Sequence, residues 1–252
     1  MNKKIALITG ATSGIGLGCA KKFAQGGYDL IINGRRNELL EEIKKELEGY
    51  GAEVKTLCFD VRNRAECAAA IDSLEGKWAE IDVLVNNAGL AIGLDKEYAG
   101  NFDEWDTMID TNVKGLLNMT RMIVPNMVKR QRGHVINIGS LAGDAAYANG
   151  NVYCATKAAV KALSDGLRID LADTPVRVTN IKPGLVETNF SVTRFRGDKS
   201  KADNVYSGIK PLTGDDIGDV VFYAASAPEH VQIAEVLVLA THQANSFVIS
   251  RT

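Results

Sequence analysis

The sequence predicts an α/β fold, a doubly wound parallel sheet of about seven strands with helices on both faces. Three observations carry this. Apolar strand-like runs alternate with helical patterns along nearly the whole chain. A glycine-rich turn, Gly10-Ala11-Thr12-Ser13-Gly14-Ile15-Gly16, joins the first strand to the first helix. Polar residues cluster at the carboxyl ends of later strands, where such a sheet opens its ligand crevice.

Strands are expected at residues 5–9, 30–33, 54–59, 83–86, 135–138, 176–181 and 236–239. Helices are expected at 15–25, 37–49, 64–79, 103–130, 151–171 and 213–225. No repeat or linker interrupts the pattern, so residues 1–252 read as a single domain. A chain that is 46% hydrophobic and 24% charged, with a formal net charge of −2, offers no basic footprint for nucleic acid or an anionic membrane surface. No apolar run reaches the roughly 18 residues of a membrane span. The amino terminus enters a strand without the apolar core of a signal peptide, which points to a cytoplasmic protein. Cys19, Cys58, Cys67 and Cys154 show no zinc spacing, and His134, His230 and His242 suggest no metal site.

Glycines in the first turn let backbone N–H groups approach a pyrophosphate at a helix N-terminus. The spacing is Gly-x-x-x-Gly-x-Gly, and its place between strand and helix favours dinucleotide binding. The second strand leads into Gly34-Arg35-Arg36. An acidic residue there would select NAD; two arginines instead suit the 2′-phosphate of NADP, although a solvated basic loop is the alternative. Asp60-Val61, Asn87-Ala88-Gly89 and the turn Pro183-Gly184-Leu185-Val186-Glu187-Thr188 fall at strand ends, to contact cofactor or to tie loops together. Asn112, among apolar neighbours in a helix, is either functional or a satisfied core asparagine.

Tyr153 and Lys157 lie four residues apart in a helical segment, on one face. A nearby cation favours phenolate and brings a tyrosine toward the neutral range, where it can transfer protons. Ser140, just after a strand, can hydrogen-bond the oxygen that exchanges the proton, or merely cap the strand end.

In this order and over nearly the full length, these pieces resemble the classical short-chain dehydrogenases/reductases, with a Rossmann sheet. The resemblance implies that Ser140 polarises the substrate oxygen and that Tyr153 is the acid in reduction and the base in oxidation. It further implies that Lys157 lowers the tyrosine pKa and holds the nicotinamide ribose, while Asn112 helps hold a relay water. The stretches 81–91, 108–112, 135–140, 150–153 and 192–198 are similar to the NADP-dependent 3-hydroxy acid (serine) dehydrogenases of bacteria and fungi. That likeness implies oxidation of serine, allo-threonine or 3-hydroxyisobutyrate, or reduction of semialdehydes such as malonic semialdehyde, by a homotetramer. Residues 141–145 and the tail from Asn245 depart from the pattern. The alternatives are a reductase of another carbonyl (a 3-oxoacyl thioester or a sugar) and a non-catalytic NADP(H) sensor.

The charged, polar stretch from Glu187 to Asn204 reads as a lid over the nicotinamide end. A 3-hydroxy acid brings a carboxylate, and an arginine fork suits it. Arg194 and Arg196 both qualify, and Arg194, flanked nearer the turn by apolar residues, ranks first.

Overall fold

The structure, a computed structural model, describes residues 3–251. The first half runs β1 (Ile5–Ile8), α1 (Gly14–Gln25), β2 (Asp29–Gly34), α2 (Asn37–Glu48), β3 (Val54–Cys58) and α3 (Arg64–Asp72). The second runs β4 (Val83–Asn86), α4 (Phe102–Ile109), α5 (Leu116–Lys129), β5 (His134–Ile138) and α6 (Asn151–Asp170). It continues through β6 (Arg177–Pro183), α7 (Asn189–Arg194), α8 (Lys199–Asn204), α9 (Gly214–Ser226) and β7 (Glu235–Val238). All seven strands are parallel, in the order β3-β2-β1-β4-β5-β6-β7. Winding reverses between β1 and β4, so the crevice opens at their carboxyl ends.

Alternation along β1 shows why both faces are covered. Ile5 and Leu7 face Cys67 of α3 and Met119, Ile123 and Met127 of α5. Ala6 and Ile8 face the opposite core, with Cys19 and Phe23 of α1, Leu40 of α2 and Val221 of α9. Each of the Ile, Leu, Val, Phe and Met side chains among these, fully buried, stabilises the fold by about 1.5–3 kcal/mol. Helices α1 and α9 cross backbone to backbone. A Cβ on Gly18 would lie 2.2 Å from the Gly214 carbonyl oxygen, and one on Gly218 would lie 2.6 Å from that of Gly18. Gly214 in turn sits against Gly14, where a Cβ would come within 2.4 Å of the carbonyl oxygen. The crossing therefore abuts the glycine turn itself.

The strands fall where expected, with ends shifted by no more than two residues. Three helical expectations need correction. The helix expected over 64–79 stops at Asp72, and a separate 3₁₀ turn, Gly76–Ala79, begins at a glycine with φ of 57°. The helix expected over 103–130 is interrupted by a π turn, Asp110–Gly115, between α4 and α5. The lid segment contains two short helices that the apolar period did not show. Thr188 caps α7 by accepting from the Phe190 N–H, and Asp198 caps α8 by accepting from that of Lys201. Among the described residues no helix is long and apolar enough to cross a membrane.

Candidate active site

One cleft of about 680 Å³ lies across the carboxyl ends of β1 and β4. Its lining brings together the glycine turn from Gly10 to Ile15, Arg35, Arg36, Asp60, Val61 and Asn87-Ala88-Gly89. Ser140, Tyr153, Lys157, the turn after β6 and Arg194 complete it. Gly16, Asn112 and Arg196, also singled out in the sequence, lie outside the lining.

The turn after β1 is built for a close approach. Gly10 has φ of 64° and Gly14 of 53°, the left-handed region that glycine enters without strain. A Cβ on Gly10 would come within 3.0 Å of the Ala88 Cα, and one on Gly14 within 2.9 Å of the Thr188 methyl. The Asn87 side chain locks the turn to β4 by donating to the carbonyls of Thr9 (2.8 Å) and Gly10 (3.1 Å). Gly16 packs beneath this, its missing Cβ only 2.3 Å from the Gly10 carbonyl oxygen. It makes room for the turn and lies outside the cleft lining.

At the β2 end, Arg36 donates to the Thr12 hydroxyl at 3.3 Å. The exposed Arg35 guanidinium stands 3.9 Å from the Asp60 carboxylate. Burial opposes charge on Asp60, but the fork of hydrogen bonds from Arg62, as short as 2.7 Å, outweighs it and holds the carboxyl below its ordinary value. Asp60 is thus already paired, while both arginines of the β2 turn line the cleft. Left-handed glycines at a helix start, next to two arginines and no acid at the β2 end, fit a dinucleotide carrying a 2′-phosphate.

At the other end, α6 carries Tyr153 and Lys157 beside Ser140, which follows β5. The Ser140 hydroxyl accepts from the Ala142 N–H at 3.1 Å, so its position is fixed. Burial raises the Tyr153 pKa above its ordinary value, opposed first by the charge of Arg194 and then by the hydrogen bond to Ser140. Burial outweighs both opposing groups. The cation acting on it is Arg194, whose guanidinium carbon stacks 4.8 Å from the ring centre. The Lys157 ammonium lies 6.0 Å from that centre and donates to the Ile138 carbonyl at 2.8 Å. Burial lowers the Lys157 pKa to about 8.

Asn112 sits in the π turn, only 2% exposed. Its amide accepts from the Leu90 N–H and donates to the Leu90 carbonyl, both at 2.8 Å, and donates to the Thr156 hydroxyl at 3.0 Å. It ties α6 to the loop after β4, directly behind Gly89. A π turn is a frequent mark of functional positions, but here the side chain's visible work is to hold the walls together.

Arg194 and Arg196 have different surroundings. Arg196 points to the surface, where Glu104 and Asp95 engage its fork and raise its pKa. Arg194 lies in the cleft against the rings of Tyr153, Phe190 (5.0 Å) and Tyr147 (5.6 Å), and donates to the Tyr147 hydroxyl at 2.7 Å. Its buried Nε has no partner among the described residues. Tyr147 and Phe190 were missed in the sequence; their only signal was two aromatics near motifs already chosen. The tail was missed too. Gln243 accepts from the Leu185 N–H at 2.9 Å, Ser246 and Ile249 line the cleft, and Arg251 donates to the Val205 carbonyl at 3.1 Å.

Residues 4–199 match the short chain dehydrogenase family, and the chain belongs to it. It is 50% identical over 240 residues to an NADP-dependent 3-hydroxy acid dehydrogenase of Salmonella typhi, covering 95% of this chain and 96% of that one. A Schizosaccharomyces pombe NADP-dependent 3-hydroxy acid dehydrogenase is 46% identical over 245 residues, covering 96% and 95%. Among solved structures, the closed form of a serine dehydrogenase complexed with NADP+ superposes with a TM-score of 0.92 at 45% identity, covering 98% of this chain and 99% of that one.

Proposed function

We propose that this oxidoreductase transfers a hydride between NADP(H) and a small 3-hydroxy acid or the matching 3-oxo acid or semialdehyde. The observation that carries the substrate class is Arg194, a guanidinium with an unpartnered buried donor, in the same cleft as Ser140 and Tyr153. The identities to 3-hydroxy acid dehydrogenases and the serine dehydrogenase likeness support the reading.

When bound, NADP(H) supplies or accepts the hydride. The backbone of Gly10 to Ile15 would hold its pyrophosphate, Arg35 and Arg36 its 2′-phosphate, and Asp60, Val61 and Asn87 to Gly89 its adenosine side. Lys157 and the turn from Pro183 through Val186 to Thr188 would face its nicotinamide end. Ser140 and Tyr153 hold the substrate oxygen, and the phenol donates a proton to it in reduction and removes one in oxidation. Raised by burial, the phenol stays protonated at neutral pH, ready to act as the acid. Arg194 pairs with the substrate carboxylate. Asn112 steadies the Leu90 backbone and the Thr156 hydroxyl behind the cofactor site. We further place the enzyme in the cytoplasm as a homotetramer of single-domain subunits.

The direct test is turnover of L-serine, D-serine, allo-threonine, 3-hydroxyisobutyrate and malonic semialdehyde with NADP(H) and NAD(H). Turnover of at least one acid with strong preference for NADP(H) is the expected result. A preference for 3-oxoacyl thioesters or sugars would replace the substrate assignment. Tight NADPH binding with no turnover across the panel would mark a sensor.

A further inference from the structure

Arg194 ends α7, a helix of only six residues, too short to be rigid by its own hydrogen bonds. An arginine that reads a carboxylate by two parallel bonds needs its fork fixed in advance. Two contacts do this from outside the lid. The Gly93 N–H donates to the Arg194 carbonyl at 2.9 Å and fixes the backbone. The Tyr147 hydroxyl accepts from Arg194 Nη2 at 2.7 Å and fixes the fork.

Tyr147 is itself held with little freedom. The Gly150 N–H donates to its carbonyl at 3.1 Å, closing the turn before α6. Its ring lies so close over Gly150 that a Cβ there would fall 2.0 Å from Tyr147 Cε2. Gly150 is therefore the space that the ring occupies. The identity of the partner matters as well. Arg196, two residues on, is held by Asp95 and Glu104, and those carboxylates consume its charge locally. Tyr147 is a phenol whose pKa burial pushes further up, so it stays neutral. It takes one donor from Arg194 and leaves the positive charge available to a ligand.

We infer that Tyr147 is a positioning residue that aims the Arg194 fork at the substrate carboxylate and so sets the preference for acids over uncharged carbonyls. This rests on the assignment of Arg194 as the carboxylate partner. Tyr147→Phe removes the hydroxyl and keeps the ring, and Gly150→Ala pushes the ring off its seat while leaving both Tyr147 and Arg194 chemically unchanged.

The readout is the ratio of kcat/KM for malonic semialdehyde to kcat/KM for butanal, measured with NADPH, with NADPH titration and circular dichroism reporting on folding. Loss of one hydrogen bond to a charged group lowers the ratio about tenfold in Tyr147→Phe, with the loss in KM for the acid. Gly150→Ala lowers it in the same direction, and carries the test should Tyr147→Phe fold poorly. Arg194→Ala separates the two levels of inference. A wild-type ratio in both Tyr147→Phe and Gly150→Ala, alongside a lowered one in Arg194→Ala, overturns the positioning role and leaves Arg194 in place. An unchanged ratio in Arg194→Ala overturns both.

Discussion

The guanidinium carbon of Arg194 lies 4.8 Å from the centre of the Tyr153 ring, nearer than the ammonium of Lys157 at 6.0 Å. Two cations thus flank the tyrosine with separate tasks. Arg194 meets the ring and favours its ionised form, and Lys157 is directed at the Ile138 carbonyl, at the end of β5.

From that relationship, Tyr153→Phe keeps the ring that Arg194 stacks on and removes only the exchangeable proton. The variant is expected to fold and bind NADPH like the parent while kcat falls by ~100- to 10,000-fold, the range for general acid–base groups. Fluorescence titration and steady-state kinetics check it. Parent-like turnover would remove Tyr153 from proton transfer.

Replacing Arg35 and Arg36 together with alanine should weaken NADPH much more than NADH, because only NADPH carries the 2′-phosphate. Both side chains are solvent-facing at the cleft rim, so salt screens the contact and the parent's preference should shrink as ionic strength rises. Equal loss for both cofactors would mean that the turn, not the charge, was disturbed.

Gly218→Ala tests the α1–α9 crossing. Its new methyl would meet the Gly18 carbonyl oxygen at 2.6 Å, and neither backbone can yield locally. Overpacking of this kind costs about 1–3 kcal/mol. Denaturant unfolding measures it, and an unchanged midpoint would show that the helices part without penalty.

Burial pushes His134 down to about 3, with the charge of Arg177 adding to the effect. Its folded value therefore lies below the unfolded one of about 6.5. Stability from the neutral ring is complete above pH 6.5 and is lost as the pH falls toward 3, because the unfolded chain takes up the proton first. Between pH 7 and 5 the parent should lose about 2 kcal/mol more than His134→Gln. Parallel stability curves for the two would contradict this.

Assembly is testable on α6. Ala155, Ala158, Ala162 and Ile169 are exposed along it, and a Cβ on Gly166 would meet nothing within 4 Å in its own chain. Small side chains at this spacing let a second copy of the helix approach closely. Light scattering should give the mass of four subunits, falling in Ala162→Arg. A parent that is monomeric at micromolar concentration refutes the tetramer.

Much of this fold was legible because strands covered on both faces read as unbroken apolar runs, and the seven runs here are well separated by helical patterns. The π turn at Asn112 was not, since one inserted residue leaves the apolar period of the flanking helices almost intact. Helices α7 and α8 were hidden because their start signals, Thr188 and Asp198, precede segments too short to show a period. In the site, the glycine turn and the Ser140, Tyr153 and Lys157 set are local motifs with fixed neighbours in sequence. Tyr147 and Arg194 are 47 residues apart, and only the fold of the lid against the α6 entrance brings them to 2.7 Å. A comparable separation in sequence hid the stacking of Arg194 over Tyr153.

The tail also separates being folded from being active. Gln243 braces the turn at Leu185, its oxygen filling the space where a Cβ on Gly184 would stand, 2.2 Å away. Ser246 and Ile249 wall the cleft, yet the last strand, β7, ends at Val238. A protease that nicks the chain after Ala240 therefore spares every rung of the seven-stranded sheet while loosening this wall of the cleft. Such a molecule would pass a test for native secondary structure with its cleft wall incomplete, so an integrity check at the carboxyl terminus belongs beside any activity measurement.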